Sequence, residues 1–545
     1  MTRQRIYERL EEASKHMNFE LTKIVASKFS DNMLLCYLVM LYDKLEQISL
    51  IKSKLPFQMI NNTCKCIDVT CHLTNERANS IKLIPGDISI INSRIGRADK
   101  FLNLIYKYWH FDIAFQAFKS QRYICDLKNN TFVFHIPDNE MYNFGLEALY
   151  VSEETPIYRE KNAMEILLNA LSRIRSAHSV DTGTSRRIIQ ETIDYLVLEL
   201  GKRLEFFEIS MDNGHYTVKD FLSVYSFLLL YIEVEPPNRF LSICNIECTK
   251  MKCKEITGIS KLKINAILTD LTFNHYNNSF SKSIFRTPIF ETKDGYYYAS
   301  FMMLLRIDVE TIIHKTWQLK YIKAYDAYHK SIIEPSMCEN IRKYFSACSD
   351  FVVVAPRQHI NIGNKTVQFD VVIYDKVENS LMIIEAKDHQ SAMGTLQVSK
   401  QAVLENDILT KPGGALSQLQ RQEEIINNYG GIVLCEIFQS DEFMHIVPSK
   451  IYKVVCELFY PGTYKLLQGL ALNNVAFIPY YVLMKEEFGG SRLSKVYNFF
   501  YNGNFSKGIS YKISPQKFRL FKYNFEIPLS TNDESQSMMR KMMGK

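Results

Sequence analysis

Residues 369–387 read FDVVIYDKVENSLMIIEAK, and this stretch decides the fold of the C-terminal part of the chain. Two apolar runs, at 371–373 and 381–384, flank the polar segment DKVENS. Short apolar runs bounded by turn residues are typical of buried strands. Asp370 opens the first predicted strand, and Glu385 and Lys387 close the second. Because burying an unpaired charge is costly, charges at the tips of such strands predict a cleft, a metal or a counter-charge.

The composition of the whole chain is that of a soluble globular protein. The chain has 545 residues, of which 47% are hydrophobic and 23% charged, and this length predicts about two to four domains. The net charge of +6 permits a polyanionic partner without requiring one. From residue 451 to the end there are 13 Lys and Arg against 6 Asp and Glu. That excess fits a solvated surface about as well as a nucleic-acid face.

The cysteines and the apolar segments predict a cytoplasmic protein without a membrane span. The 12 cysteines show no regular disulfide framework, which favours reduced thiols. The longest strongly apolar stretch, 221–232, is shorter than the roughly 20 residues that cross a bilayer. Zinc is disfavoured because neither cysteine cluster has paired CxxC spacing. The two clusters are Cys64, Cys66, Cys71 and His72, and Cys244, Cys248 and Cys253.

The pattern along the chain predicts a largely helical α+β N-terminal region followed by an α/β domain with a mixed central sheet flanked by helices. Hairpins are predicted at Asn129 and Asn130 and at Asp294 and Gly295. A helix is expected to stop at Pro335 and another to begin at Ser336. GIVLCEIF, at 431–438, reads as a strand. The predicted segments are 1–150 (helical, then mixed), 151–283 (mainly helical), 284–335 (hairpin and helix connector), 336–530 (α/β) and 531–545 (flexible tail).

The charged positions of the opening stretch carry a resemblance to a known family. Asp370, then fourteen residues, then Glu385-Ala386-Lys387 resembles the motif of the PD-(D/E)xK nuclease superfamily, over roughly residues 320–485. The resemblance implies the restriction-endonuclease-like fold. Phe369 stands where the motif's name has proline. The alternative is a surface hairpin that happens to end in Glu-x-Lys, and the apolar strands and flanking helices favour the nuclease interpretation over it.

The resemblance implies a metal site whose chemistry fits these residue types. Asp370 and Glu385, with the Ala386 carbonyl as a further ligand, would hold Mg²⁺ or Mn²⁺ through hard oxygen atoms. Lys387 lies two residues after Glu385, so in a strand both side chains point to one face. There Lys387 could orient the attacking water or stabilise charge in the transition state.

Two more positions match the family by residue type. Glu339 lies in the predicted helix before the strands, although Ser336 and Glu339 also have the spacing of a capping box, and Glu334 is a rival for the same role. Gln418 lies in the helix after the strands. Gln420 and Gln422 are predicted to point away from the site, and a solvated helix face is the alternative for Gln418 itself.

The resulting hypothesis is a metal-dependent endonuclease, with DNA favoured over RNA, in host defence or a mobile element. An RNase on the same fold stays open. The competing hypothesis is a catalytically silent nucleic-acid-binding or scaffold protein, which the intact Asp370, Glu385 and Lys387 disfavour. No GxxxxGK[ST] loop is present, so the chain is not itself a P-loop ATPase. The N-terminal region suggests target recognition, regulation by a partner protein or homo-oligomer formation.

Overall fold

A computed structural model describes residues 2–28, 88–119, 122–137, 172, 182–234, 242–272, 287–291, 295–299, 304, 309–355, 358–362, 365–388, 405–458, 464–485, 488–501 and 514–529. The strands are β1 (Ile124–Lys128), β2 (Thr131–His135), β3 (Ser242–Asn245), β4 (Ile289–Glu291), β5 (Tyr296–Ala299), β6 (Phe351–Val354), β7 (Gln358–Ile362), β8 (Lys365–Phe369), β9 (Val371–Asp375), β10 (Ser380–Lys387), β11 (Lys450–Glu457), β12 (Val475–Pro479), β13 (Ser514–Leu520) and β14 (Tyr523–Leu529). The α-helices are α1 (Arg3–Lys28), α2 (Ile88–Lys119), α3 (Thr182–Gly201), α4 (Val218–Val234), α5 (Ile246–Thr257), α6 (Lys261–Leu271), α7 (Val309–Lys320), α8 (Ile322–Tyr328), α9 (Glu334–Ser346), α10 (Ala415–Tyr429), α11 (Gly431–Phe438), α12 (Tyr464–Ala471), α13 (Tyr480–Leu483) and α14 (Leu493–Tyr501).

A five-stranded mixed sheet lies at the centre of the C-terminal part, in the order β12-β11-β10-β9-β6. Strands β6, β9 and β10 pair antiparallel, whereas β10, β11 and β12 pair parallel. Every residue of β9 is buried, as is β10 up to its last residue. Helices α9, α10 and α14 contact β10. The predicted mixed α/β class and the two buried strands at 369–387 are therefore confirmed.

The turn between β9 and β10 is stabilised by its own side chains. Asp375 Oδ1 accepts hydrogen bonds from the backbone N–H groups of Val377 and Glu378, at 2.9 and 3.1 Å. Asn379 takes a positive φ of 48°, which asparagine tolerates better than most residues. The polar segment DKVENS thus forms the predicted turn and sets the register in which Asp375 faces Ser380.

A second sheet pairs strands from the N-terminal and C-terminal parts of the chain, in the order β1-β2-β14-β13. Asn129 and Asn130 have φ values of 49° and 56°, as a tight hairpin turn requires, so the predicted hairpin is confirmed. Strand β14 pairs parallel with β2. Residues 514–529 therefore share a sheet with residues 124–135, although the sequence pattern grouped them with residues 336–530.

The helix that was expected to stop at Pro335 continues through it. Helix α8 leads into a π-helical turn, His329–Ile333, and this turn leads directly into α9, whose second residue is Pro335. Proline cannot donate a backbone hydrogen bond and crowds the preceding turn, and the wider π turn lies at the place where that strain arises. Ser336 is therefore inside the helix, and the capping-box interpretation of Glu339 is wrong.

Residues 431–438 form helix α11, so the strand predicted from GIVLCEIF is also wrong. A continuous apolar run fits either element, and here burial follows a helical spacing. Val433, Leu434 and Ile437 are buried, whereas Ile432 is 55% exposed. One face of the helix packs on the core and the opposite face meets solvent.

The structure describes residues of only the second of the two cysteine clusters. Cys64, Cys66, Cys71 and His72 lie outside the described residues. Within them, Cys248 is an exposed free thiol and Cys253 a buried one. No helix in the described part of the chain is long and apolar enough to cross a membrane.

Candidate functional site

Asp370 is buried between β8 and β9, where the chain bends from one strand into the next. Its Oδ2 accepts a hydrogen bond from the Ala386 N–H at 3.0 Å. Its Oδ1 accepts one from the Gln368 side-chain amide, also at 3.0 Å. Asp370 therefore lies directly beside the Glu385-Ala386-Lys387 end of β10, as the sequence predicted. Gln368 was not predicted, although its spacing of two residues from Asp370 was visible in the sequence.

Glu385 and Lys387 project together from the end of β10. Their side chains form an ion pair, with Lys387 Nζ 2.6 Å from Glu385 Oε1. The alternation of side chains along a strand explains why residues two apart meet. Glu385 is buried and the Lys387 side chain is 20% exposed. Two carboxylates and one ammonium group thus lie close together at the tip of the central sheet.

The amide that reaches Glu385 belongs to Gln422, not to Gln418. Gln422 Nε2 donates to Glu385 Oε2 at 3.2 Å and to the Gln368 carbonyl oxygen at 2.8 Å. Gln418 lies one turn earlier on the same face of α10, because residues four apart are neighbours on a helix. Gln420 points away and bonds Asn473 at 3.1 Å. The expectation that Gln422 faces away from the site is wrong.

The glutamate of α9 that faces the buried side of the helix is Glu334. Glu339 is partly exposed, and its carboxylate accepts a 2.7 Å hydrogen bond from Arg342 on the same helix. Glu334 is buried, and its Oε1 lies 3.4 Å from His329 Nε2. One turn after Glu334, the Cys338 thiol is buried, and besides burial the charges of Asp370 and Glu385 raise its pKa. The supporting role that the sequence gave to Glu339 is therefore better assigned to Glu334.

A buried polar network adjoins the site at Asp388, the residue after Lys387. Asp388 Oδ2 accepts a short hydrogen bond from the Tyr325 hydroxyl and lies 3.2 Å from His314 Nε2. His329 Nε2 lies 3.2 Å from the Asp388 carbonyl oxygen. Burial acts to raise the pKa of Asp388, but His314, His329 and the Tyr325 hydrogen bond lower it overall. This network was not predicted, and its local signal in the sequence is a further charged residue, Asp388, directly after Lys387.

The electrostatics of the site centre on Glu385. Burial and the neighbouring charge of Asp370 raise its pKa to about 7, against the opposing influence of Lys387 and Gln422. Burial acts to lower the pKa of Lys387, but Glu385 and Asp370 overcome this and raise it. Two carboxylates that repel one another in a buried place favour a cation between them.

The donor set suits a hard divalent cation. Mg²⁺ is commonly held by one or two carboxylates and keeps several waters, and Asp370 and Glu385 supply the two carboxylates. The Ala386 backbone lies beside them through its bond to Asp370. The Gln422 Oε1 atom is buried and has no hydrogen-bond partner among the described residues, so it can accept from a water there. No group of three or more His, Cys, Asp or Glu side chains within the described ranges is placed to hold a metal.

We expect the metal-free protein to lose stability as pH rises from about 5 to 8. The pKa of Glu385 is raised from 4.5 to about 7 in the fold, so between these values the folded protein holds a proton that the unfolded chain releases. Raising the pH therefore favours unfolding, by at most about 3 kcal/mol. Urea titrations in EDTA at several pH values measure this. Glu385→Gln should flatten the pH dependence, and the exposed control Glu442→Gln should not. An unchanged slope in Glu385→Gln would contradict the assignment.

Comparisons of the chain with models of known protein families, with curated proteins and with solved structures found no match.

Proposed function

We propose that the chain is a metal-dependent nuclease that hydrolyses phosphodiester bonds, with DNA as the favoured substrate. The observation that carries this proposal is the joint burial of Asp370 and Glu385 at the tip of a mixed sheet, with Lys387 at 2.6 Å from Glu385. The resemblance of these residues to the PD-(D/E)xK motif, in a mixed α/β sheet flanked by helices, supports the same reaction class. Fold alone does not fix a substrate, so the reaction class is inferred from the site.

Each residue of the site has a separate role in this proposal. Asp370 and Glu385, with the Ala386 carbonyl, would hold Mg²⁺ or Mn²⁺. When bound, such an ion neutralises charge on the phosphate and makes a bound water more acidic. Lys387 offers the ammonium group that can orient the attacking water or stabilise the developing negative charge. Gln422 holds the second oxygen of Glu385 and ties it to the backbone of Gln368.

Glu334 and His329 would support the site from the side of α9. His329 bridges the Glu334 carboxylate and the backbone carbonyl of Asp388, at 3.4 and 3.2 Å. Because Asp388 directly follows Lys387, this bridge restrains the end of β10. We therefore treat Glu334 as a positioning residue.

The proposal is tested by incubating the purified full-length protein with plasmid, linear DNA and RNA. Cleavage is expected with Mg²⁺ or Mn²⁺ and is expected to disappear in EDTA. Glu334→Gln should lower the rate about 10- to 100-fold, the usual cost of disturbing a supporting contact at a metal site. Glu339→Gln on the same helix is the matched control and should stay within about twofold, because exposed ion pairs contribute little.

Four results would each contradict a different part of the proposal. Cleavage that continues in EDTA would argue against metal dependence. No cleavage with any metal would argue against a nuclease and in favour of the silent binding protein. Cleavage that falls more in Glu339→Gln than in Glu334→Gln would leave the activity standing but would overturn the assignment of Glu334. Preference for RNA over both DNA forms would change the substrate class.

A further inference from the structure

The N-terminal region contains a compact unit that the sequence left unassigned. Helix α4 is followed by strand β3, helices α5 and α6, and the strands β4 and β5. The three strands form their own antiparallel sheet in the order β3-β5-β4. The predicted hairpin near Gly295 supplies two of these strands, and Gly295 has a φ of 80°. The unit thus consists of three helices and a small three-stranded sheet, in which β4 and β5 form a hairpin.

Helices α5 and α6 are joined by a turn of three residues, 258–260. Gly258 has a φ of 71°, and its N–H donates to the Lys254 carbonyl at 2.9 Å, which ends α5. This conformation favours glycine because it carries no Cβ. Ile259 is buried in the turn, and the Ser260 side chain caps α6 by accepting from Lys263 N–H. A helix-turn-helix has such a turn of three to four residues, often with glycine, between its two helices.

The inner faces of the helices are packed, and ion pairs fix α6 in place. Ile264, Ile267 and Leu268 of α6 are buried, and α6 contacts both α4 and α5. Lys263 bonds Asp220 of α4 at 2.7 Å, and Lys261 bonds Glu247 of α5 at 2.9 Å. The position of α6 on this unit is therefore well defined.

The outer face of α6 is open and carries residues that suit contact with base edges. Leu262, near its N-terminus, is 82% exposed. Thr269 is exposed two further turns along the same side. Apolar groups contact the thymine methyl group, and threonine bonds several bases. An exposed leucine has no role in the packing of this unit.

The charge of the unit is complementary to a phosphate backbone. Helices α5 and α6 and their turn carry five lysines and three acids: Lys250, Lys252, Lys254, Lys261 and Lys263, and Glu247, Glu255 and Asp270. Asp270 is buried and bonded to Tyr216, so it adds little to the outer surface. Lys252, Lys254 and Lys261 are exposed. Lysines around an open helix face are the electrostatic footprint of a nucleic-acid-binding helix.

We infer that α4, α5, α6 and the sheet β3-β5-β4 form a helix-turn-helix with a β-hairpin wing, and that α6 docks into the major groove of double-stranded DNA. Duplex DNA is the favoured occupant because its major groove admits an α-helix, whereas the major groove of duplex RNA is too deep and narrow. Where the inference makes DNA the substrate of the site at β10, it rests on the proposed function. The DNA-binding surface itself does not depend on that site.

A buried carboxylate links this unit to the helices that lead toward the proposed nuclease site. Asp270, at the end of α6, bonds Lys320 at 2.7 Å and Tyr321 at 2.9 Å. These two residues lie where α7 passes into α8, and α8 leads through the π turn to Glu334. Docking of α6 on a duplex therefore fixes the position of the DNA relative to the helix that carries Glu334.

The test measures binding of the full-length protein in EDTA, by fluorescence anisotropy, to a 30-bp DNA duplex and to an RNA duplex of the same sequence. Salt is varied from 50 to 200 mM. The wild-type protein is expected to prefer DNA. The double variant Lys254→Ala/Lys261→Ala should bind DNA at least about tenfold more weakly. The slope of its log affinity against log salt concentration should fall by the equivalent of about two phosphate contacts. The control Lys15→Ala removes a lysine from a similar exposed pair, with Glu11 at 3.3 Å on α1, and should bind normally.

Thermal unfolding shows whether each variant is folded, and both changed lysines are exposed. Equal binding of DNA and RNA duplexes, or an unaffected double variant, would overturn the inference. It would also be overturned by an equal loss in Lys15→Ala. If those results came with metal-dependent cleavage by the wild type, the proposed function would stand alone. If instead the double variant lost DNA binding and the wild type cleaved nothing, the inference would stand and the nuclease proposal would fail.

Discussion

Lys387→Ala is expected to lower metal-dependent cleavage about 10²- to 10³-fold while the protein stays folded. The Lys387 ammonium is 2.6 Å from Glu385, and among the described residues no other ammonium group bonds Glu385. Removing one group that stabilises developing charge costs about this much in other enzymes. The substitution also withdraws a charge that lowers the pKa of Glu385, so a larger fraction of Glu385 would be protonated at neutral pH and metal would bind less well.

The measurement is the initial rate of plasmid cleavage at increasing Mg²⁺ concentration. Lys450→Ala is the matched control, because Lys450 lies on the neighbouring strand opposite Ser380, at the far end of β10 from Lys387. It is exposed and should leave the rate within about twofold. A Lys387→Ala rate above one tenth of the wild-type rate would show that the ammonium group is not part of the chemistry.

Asp388→Ala is expected to lower the free energy of unfolding by about 3–5 kcal/mol. Its carboxylate is fully buried and accepts from Tyr325 beside His314. Removing one partner from a buried charged network leaves the others without compensation, which costs about this much. Asp388→Asn keeps an oxygen acceptor for Tyr325 and should cost clearly less.

Guanidinium titrations followed by tryptophan fluorescence suit this test. The chain has two tryptophans, and Trp317 is buried one turn after His314, in edge contact with Phe207. Its emission therefore reports on the helix that carries the network. A loss below about 1 kcal/mol in Asp388→Ala would mean that the network contributes little to folding and that Asp388 is kept there for another reason.

Local patterns in the sequence were sufficient for the strands and for the placement of Asp370 beside Glu385, Ala386 and Lys387. Alternation along β10 determines that Glu385 and Lys387 share a face, and the apolar runs identify both strands. The choice between Gln418 and Gln422 depends on how α10 is rotated against the sheet, which is a property of tertiary packing. Both residues lie on one helical face, so periodicity could not separate them.

Two other features could not be predicted for different physical reasons. Pro335 signals a helix end in most chains, and only the adjacent π turn allows the helix to continue and bury Glu334. The helix-turn-helix is built from helices of 12 and 11 residues, too short for a strong periodic signal. Its local signals are the helix caps Asn245 and Ser260 and the turn residue Gly258. These signals indicate the motif only when they are considered together.

The sheet β1-β2-β14-β13 has a consequence for how the protein is made. Strand β2 is translated early, but its partner β14 begins almost 400 residues later. At about 5–20 residues per second, a ribosome needs roughly 20–80 s to cover that distance. During that time the edge of β2 is open to pairing with other chains. Completion of this sheet thus has to wait for the final strands, and a chain released early by a premature stop would keep an unpaired, aggregation-prone edge near its beginning.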